Sequence, residues 1–233
     1  MLVLVSPADE EEAVESIEGG ADIIDVKNPA EGSLGANYPW VISRIADIAK
    51  QRGREVSAAI GDLDFKPGTA SLAAYAAASC GADYVKVGLY GVRSKEQAVK
   101  LVKAVVNAVE KFNTKVVAAA YADFKRINSI SPLELAEVAV SAKAHGIMVD
   151  TAIKDGSKLL DHMDVEELRA FVESAHSAGL FCALAGSIKL EDVPVIKKLK
   201  ADIVGVRTAV CENGRNSRIK RELVAKLVEV VKL

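Results

Sequence analysis

The chain has 233 residues, 50% of them hydrophobic and 27% charged, with a formal net charge of -2 and a pI near 6.0. That is enough apolar residue for one large core, so a single domain over residues 1–233 is expected, and disorder is excluded. The charge balance leaves no basic stripe for a phosphate backbone, and 5% aromatic content offers little for base stacking, so nucleic acid is not an expected partner.

Taken in chain order, short β-rich runs begin near Leu2, Ile23, Val56, Tyr84, Val116, Ile147, Phe181 and Ile203, each followed by a helical pattern. The opening "MLVLVSPADEEE" turns acidic too early for a signal peptide, and no apolar run reaches membrane-spanning length. Helix starts are marked by Ser94 with Gln97, by Ser131 followed by Pro132 and Glu134, and by Asp164 with Glu167. The alanine-rich "SLAAYAAAS" reads as a tightly packed helix. Strands alternating with helices imply parallel pairing through right-handed crossovers, and eight such units predict an α/β fold, the (β/α)₈ TIM barrel. An open doubly wound sheet is the alternative, but neither GxGxxG nor a Walker A sequence follows any strand.

Three strands share a weak repeat. "GADIIDVK", "GADYVKVG" and "KADIVGVR" each set an Ala-Asp pair before the strand, marked by Asp22, Asp83 and Asp202. Three residues further on stand Asp25, Lys86 and Gly205; five further on stand Lys27, Gly88 and Arg207. Alternate barrel strands fill the same layers, so these positions are expected to converge near the C-terminal mouth. Asp150 at the end of the sixth strand, with Lys154 in "VDTAIKDG", joins them.

Charges inside apolar strands need a reason, because taking an ammonium out of water costs several kcal/mol unless it is compensated. Asp25 and Lys27 lie two apart and so share a face of their strand. A structural ion pair between them is the plainer reading. The chemical reading is a lysine held neutral for attack on a carbonyl, which from a normal pKa near 10.4 costs roughly 4 to 5 kcal/mol unless burial and a second cation help. Lys86 is the candidate for that cation, and Asp25 for a proton shuttle.

Phosphate binding is the second theme. "AGSI" and "GVRT" follow the seventh and eighth strands, where barrels bind phosphate on backbone N–H groups; Gly186, Ser187, Gly205 and Arg207 are the candidates. Ordinary turn chemistry and an Arg207–acid pair are the plain alternatives. The loop "NPAEGSLGANYP" after Lys27 reads equally as a lid, a phosphate cradle or a surface excursion. Metal chemistry has little support: His145, His162 and His176 lack ligand spacing, and Asp62 and Asp64 are read as turn formers. Cys80, Cys182 and Cys211 are scattered without a CxxC pair and read as buried thiols of a reducing, cytoplasmic compartment.

With these residues in view, the chain resembles the (5-formylfuran-3-yl)methyl phosphate synthases of methanofuran biosynthesis along essentially its whole length. The carriers are "DIIDVKNPAEGSLGAN", "ADYVKVGLYGV", "DTAIKDG", "CALAGSI" and "DIVGVR". The resemblance implies a Schiff-base aldolase-type barrel that joins two glyceraldehyde 3-phosphate molecules with loss of one phosphate and two waters. It further implies Lys27 as the Schiff-base lysine, Lys86 as the proton-transferring lysine, and Asp25, Asp150 and Lys154 as supporting charges. No cofactor or metal is expected; a triose phosphate is the expected partner, together with further copies of the chain in a homo-oligomer. Nothing is assigned between Cys211 and Arg218. An ordinary reversible Schiff-base aldolase and a non-catalytic sensor of phosphorylated metabolites are the rival readings.

Overall fold

The computed structural model describes all 233 residues. Eight parallel strands, β1 (Leu2–Val5), β2 (Ile23–Val26), β3 (Glu55–Ala59), β4 (Tyr84–Gly88), β5 (Lys115–Tyr121), β6 (Gly146–Asp150), β7 (Phe181–Leu184) and β8 (Ile203–Val206), pair in sequence order. The ring closes where Leu2, Val3, Leu4 and Val5 pair with Ile203, Val204, Gly205 and Val206. This is the expected (β/α)₈ barrel, with β3, β5 and β6 each starting one residue before the apolar run that announced it. Each of those extra residues, Glu55, Lys115 or Gly146, joins the ladder through its backbone without adding to the apolar pattern.

The Ala-Asp repeat has a structural cause. Asp22, Asp83 and Asp202 each turn a carboxylate oxygen to the first free backbone N–H of a neighbouring strand: Val3 N–H at 2.9 Å, Val56 N–H at 2.8 Å and Cys182 N–H at 2.7 Å. A charged acceptor makes a strong hydrogen bond, so the repeat clasps β1, β3 and β7 at the N-terminal rim and fixes the stagger of the barrel.

Two apolar regions result. The larger lies between the outer strand faces and the helices, from Val3 and Val5 to Phe171 and Leu227. The smaller fills the barrel interior with Leu4, Ile23, Tyr84, Val117, Met148 and Ile203 among others. The last helix, Arg221–Lys232, buries Val224, Leu227 and Val231 against the barrel, so its apolar face belongs to the core. Ser94 and Asp164 cap their helices as expected, with Gln97 N–H and Glu167 N–H as donors. After Ser131 the chain makes a short 3₁₀ turn, Pro132–Glu134, before the α-helix Leu135–Ala142. Cys182 and Cys211 are buried, whereas Cys80 is only partly covered, at the end of the helix Pro67–Ser79. No helix is long and apolar enough to cross a membrane.

Candidate active site

Strand periodicity carries the charges inward. Asp25 on β2, Lys86 on β4 and Asp150 at the end of β6 are buried inside the barrel, and Lys27, just past the end of β2, is 5% exposed. Lys27 and Asp150 line the cavity at the C-terminal mouth, whereas Asp25 and Lys86 stay in the barrel interior, where Lys86 lines a separate apolar pocket; nor do the pairs follow sequence proximity. Lys86 Nζ donates to Asp25 Oδ2 at 2.7 Å, and Ser6 Oγ, just past β1, donates to the same oxygen at 2.8 Å. The Asp25–Lys27 ion pair considered from the sequence is therefore not formed. The second oxygen, Asp25 Oδ1, has no partner, and neither has the buried hydroxyl of Ser57, whose residue pairs with Asp25 across β2 and β3.

A second couple forms on β6. Lys154 Nζ donates to Asp150 Oδ1 at 2.7 Å and to Thr151 Oγ1 at 3.0 Å, while the Thr151 N–H donates to Asp150 Oδ1 at 2.7 Å. Burial by itself would raise the Asp150 pKa, but the ammonium of Lys154, followed by that of Lys27, outweighs it and holds the carboxyl below the usual carboxylate range.

Lys27 stands between these two couples without joining either. Its ammonium makes no hydrogen bond or ion pair, and it lines a cavity together with Ser6, Asp150 and Lys154. Its pKa is lowered from 10.5 to about 7. Burial is the largest cause; Asp150 opposes it, and Lys86 pushes further down. The cationic push from Lys86 expected from sequence is thus present but secondary to burial. At neutral pH a substantial share of Lys27 is the free amine.

The far wall of the cavity comes from β7 and β8. Gly186 and Ser187 line it, both with left-handed backbone (φ 113° and 51°). The N–H groups of Gly186 and Ser187 donate to nothing in the protein, which leaves two donors on the cavity wall for an anion. Gly205 also lines the cavity; a Cβ there would stand 3.1 Å from that of Ala185, tighter than ordinary packing.

Arg207 departs from its expected role as a phosphate donor. Its guanidinium gives both NH1 protons to Ser6 O (2.7 Å) and Glu12 Oε2 (2.8 Å), NH2 to Glu12 Oε1 (3.3 Å) and Ser217 O (3.4 Å), and Nε–H to Arg215 O (2.9 Å). All five donors are used, so the side chain holds the chain together and has none left for a ligand. The alternative of an Arg–acid pair is the one observed, with Glu12 buried on the helix Glu10–Glu18.

The loop after Lys27 folds down onto the mouth. Ser33 Oγ donates to Thr151 O at 2.8 Å, Leu34 N–H donates to Asp62 Oδ2 at 3.1 Å, and Leu34 is fully buried in the barrel interior. Tyr121 on β5 donates its hydroxyl to Asp62 Oδ1 from beneath. Asp62, expected only to shape a turn, therefore also anchors this loop. No group of three or more His, Cys, Asp or Glu side chains is disposed to hold a metal ion.

Sequence reasoning missed Ser6, Glu12, Asp62 as an anchor, Tyr121 and Arg215. Ser6 had a signal, since a polar residue directly after the apolar run "VLV" points at the mouth. Glu12 sat within an acidic run that reads as solvated helix surface, and Arg215 within a loop that has no period.

A closed parallel barrel with an unpaired, desolvated lysine and one lysine–carboxylate couple at its C-terminal mouth, and a second couple buried in its interior, defines a (β/α)₈-barrel enzyme. The chain belongs to the 4-HFC-P synthase family, which it matches over residues 3–228. It is 58% identical over 233 residues to the (5-formylfuran-3-yl)methyl phosphate synthase of Archaeoglobus fulgidus, covering 99% of both chains. To the enzyme of the same name from Methanocaldococcus jannaschii it is 55% identical over 236 residues, covering 100% of both. Among solved structures it resembles 3-hexulose-6-phosphate synthase from Salmonella typhimurium, with a TM-score of 0.69 at 18% identity over 100% of this chain and 99% of that one. It also resembles thiamine phosphate pyrophosphorylase from Pyrococcus furiosus, with a TM-score of 0.64 at 16% identity over 99% and 95%. At those identities the likeness is one of fold.

Proposed function

We propose that the protein condenses two molecules of glyceraldehyde 3-phosphate into (5-formylfuran-3-yl)methyl phosphate, releasing one inorganic phosphate and two waters, through a Schiff base on Lys27. The observation that carries this reading is the state of Lys27: a buried amine with a pKa of about 7, facing a cavity and bonded to no carboxylate. A binding site has no need of a neutral amine; a carbonyl-attacking nucleophile does.

In this reading the Lys27 amine adds to the aldehyde carbon of one triose, and the carbinolamine loses water to give an iminium. The iminium acidifies the neighbouring C–H, a base removes that proton, and the enamine carbon bonds to the second triose. One phosphate departs, an oxygen closes the ring, and loss of two waters leaves the aromatic furan, which makes the sequence effectively irreversible; hydrolysis of the imine takes back the water lost in forming it and frees Lys27. The Asp150–Lys154 couple, which lines the cavity with Lys27, and the Asp25–Lys86 couple buried in the barrel interior move the protons that these steps need. Gly186 and Ser187 offer free N–H groups to a phosphate, and Gly205 leaves room for it.

Incubation with glyceraldehyde 3-phosphate alone, following free phosphate and an ultraviolet-absorbing furan together, tests the reaction. A linear product without phosphate would instead identify an ordinary aldolase. Borohydride added with substrate should leave a mass adduct on the Lys27 peptide, and unimpaired turnover by Lys27→Ala would reject the mechanism.

A further inference from the structure

The segment from Cys211 to Arg218 carries an arginine whose situation is the reverse of that of Arg207. Arg215 reaches back over the mouth and lines the same cavity as Lys27, Gly186 and Ser187. It has no carboxylate partner. Its one hydrogen bond runs from NH2 to Gly32 O, at 3.0 Å, in the loop that folds down after Lys27. Four of its five N–H donors are therefore uncommitted. Burial lowers its pKa from the ordinary arginine value, a sign that the charge has lost water without a full replacement. The backbone carbonyl of Arg215 accepts from Arg207 Nε at 2.9 Å, so the buried Glu12–Arg207 pair props the segment that presents it.

We propose that Arg215 is the side chain that grips the substrate phosphate against the free N–H groups of Gly186 and Ser187, and that it does so while holding Gly32, so that phosphate occupancy and closure of loop 28–38 are one event. The guanidinium fork suits both roles, because one NH2 proton stays on the Gly32 carbonyl while its remaining edge donates to phosphate oxygens. A phosphate dianion supplies the countercharge that the protein withholds, so closure with an empty site leaves a desolvated cation and closure with an occupied one does not. The loop already carries the matching contacts, Ser33 to Thr151 O and Leu34 to Asp62. This deepens the proposed function and rests on it only for the identity of the substrate.

The experiment measures binding of inorganic phosphate to the whole protein by calorimetry, without turnover, alongside hydrogen exchange of the amides in residues 28–38. Wild-type protein is expected to bind phosphate and to gain protection in that loop. Arg215→Gln should lose about tenfold or more in phosphate affinity, the effect of a charge-assisted contact, with a matching rise in KM larger than the fall in kcat, and no phosphate-dependent protection. Arg215→Lys, which keeps the charge without the fork, should recover part of the affinity and none of the protection. Equal affinity in Arg215→Gln and wild type, no phosphate binding by wild type, or binding that leaves exchange in 28–38 unchanged overturns the inference. Arg215-dependent phosphate binding without furan formation would sustain this inference while sinking the proposed reaction, so the two fail separately.

Discussion

Asp25 reaches across the barrel to Lys86, 2.7 Å away, and leaves Lys27, two residues along its own chain, without a partner. The choice decides the chemistry. A carboxylate bonded to Lys27 would hold it as an ammonium; bonded to Lys86, the same carboxylate stabilises one cation and leaves the other lysine desolvated.

Removing Lys86 should therefore be costly. Lys86→Met leaves Asp25 buried with only the Ser6 hydroxyl as donor, and breaking a buried pair by one partner costs about 3–5 kcal/mol. Urea denaturation of Lys86→Met and of the double variant Asp25→Asn/Lys86→Met should show most of that loss recovered in the double variant. Equal losses in the two would mean that the pair does not govern stability.

The rate should fall on the acid side of about pH 7, where Lys27 takes up its proton. Asp150 is the largest influence holding Lys27 charged, so Asp150→Asn should move this limb to lower pH. Lys86→Met removes a repelling cation and should move it to higher pH. Profiles of kcat/KM against pH for the three proteins check both directions.

Lys27 should also cost stability. Its pKa is about 7 folded against 10.5 unfolded, so between those values the unfolded chain binds a proton that the folded one does not, and stability rises with pH across that window. Below pH 7 the penalty is at its full value; above 10.5 it is gone. Lys27→Met should accordingly be more stable than the wild type at neutral pH by up to about 4 kcal/mol while losing turnover, with the advantage vanishing by about pH 10.5. Paired denaturation curves at pH 6.5 and pH 10 test the sign.

Arg207→Ala should act through structure. Glu12 would be left buried without its cation, at a cost of about 3–5 kcal/mol, and the carbonyls of Arg215 and Ser217 would lose their donors. Limited trypsin digestion should then cut after Arg215 and Arg218 faster than in the wild type. Unchanged digestion would show that the segment is held by other contacts.

Much of this architecture was legible in the sequence because parallel strands are covered on both faces, so each reads as an apolar run from which a charge stands out. Lys27, Asp25 and Lys86 were visible on that ground alone. Which lysine meets which carboxylate was not, because it depends on the stagger between strands, and the nearest residue along the chain turned out to be the wrong partner for Asp25. Arg207 was misjudged for a related reason: its counterion Glu12 lies 195 positions away, in an acidic stretch whose neighbours Glu10 and Glu11 are less buried. Arg215 lay in a segment with neither strand nor helix periodicity, where only the fold brings it to the cavity.

Leu34 has a kinetic consequence. It sits fully buried among Tyr121, Met148 and the other residues of the barrel interior, tethered through its N–H to Asp62. Lifting the loop exposes that leucine to water at a cost of about 1.5–3 kcal/mol, before the broken hydrogen bonds are counted. In the proposed reaction a latch of this kind would keep bulk solvent off the covalent intermediate and slow each departure alike, so product escape, rather than bond making, is the step expected to limit the cycle.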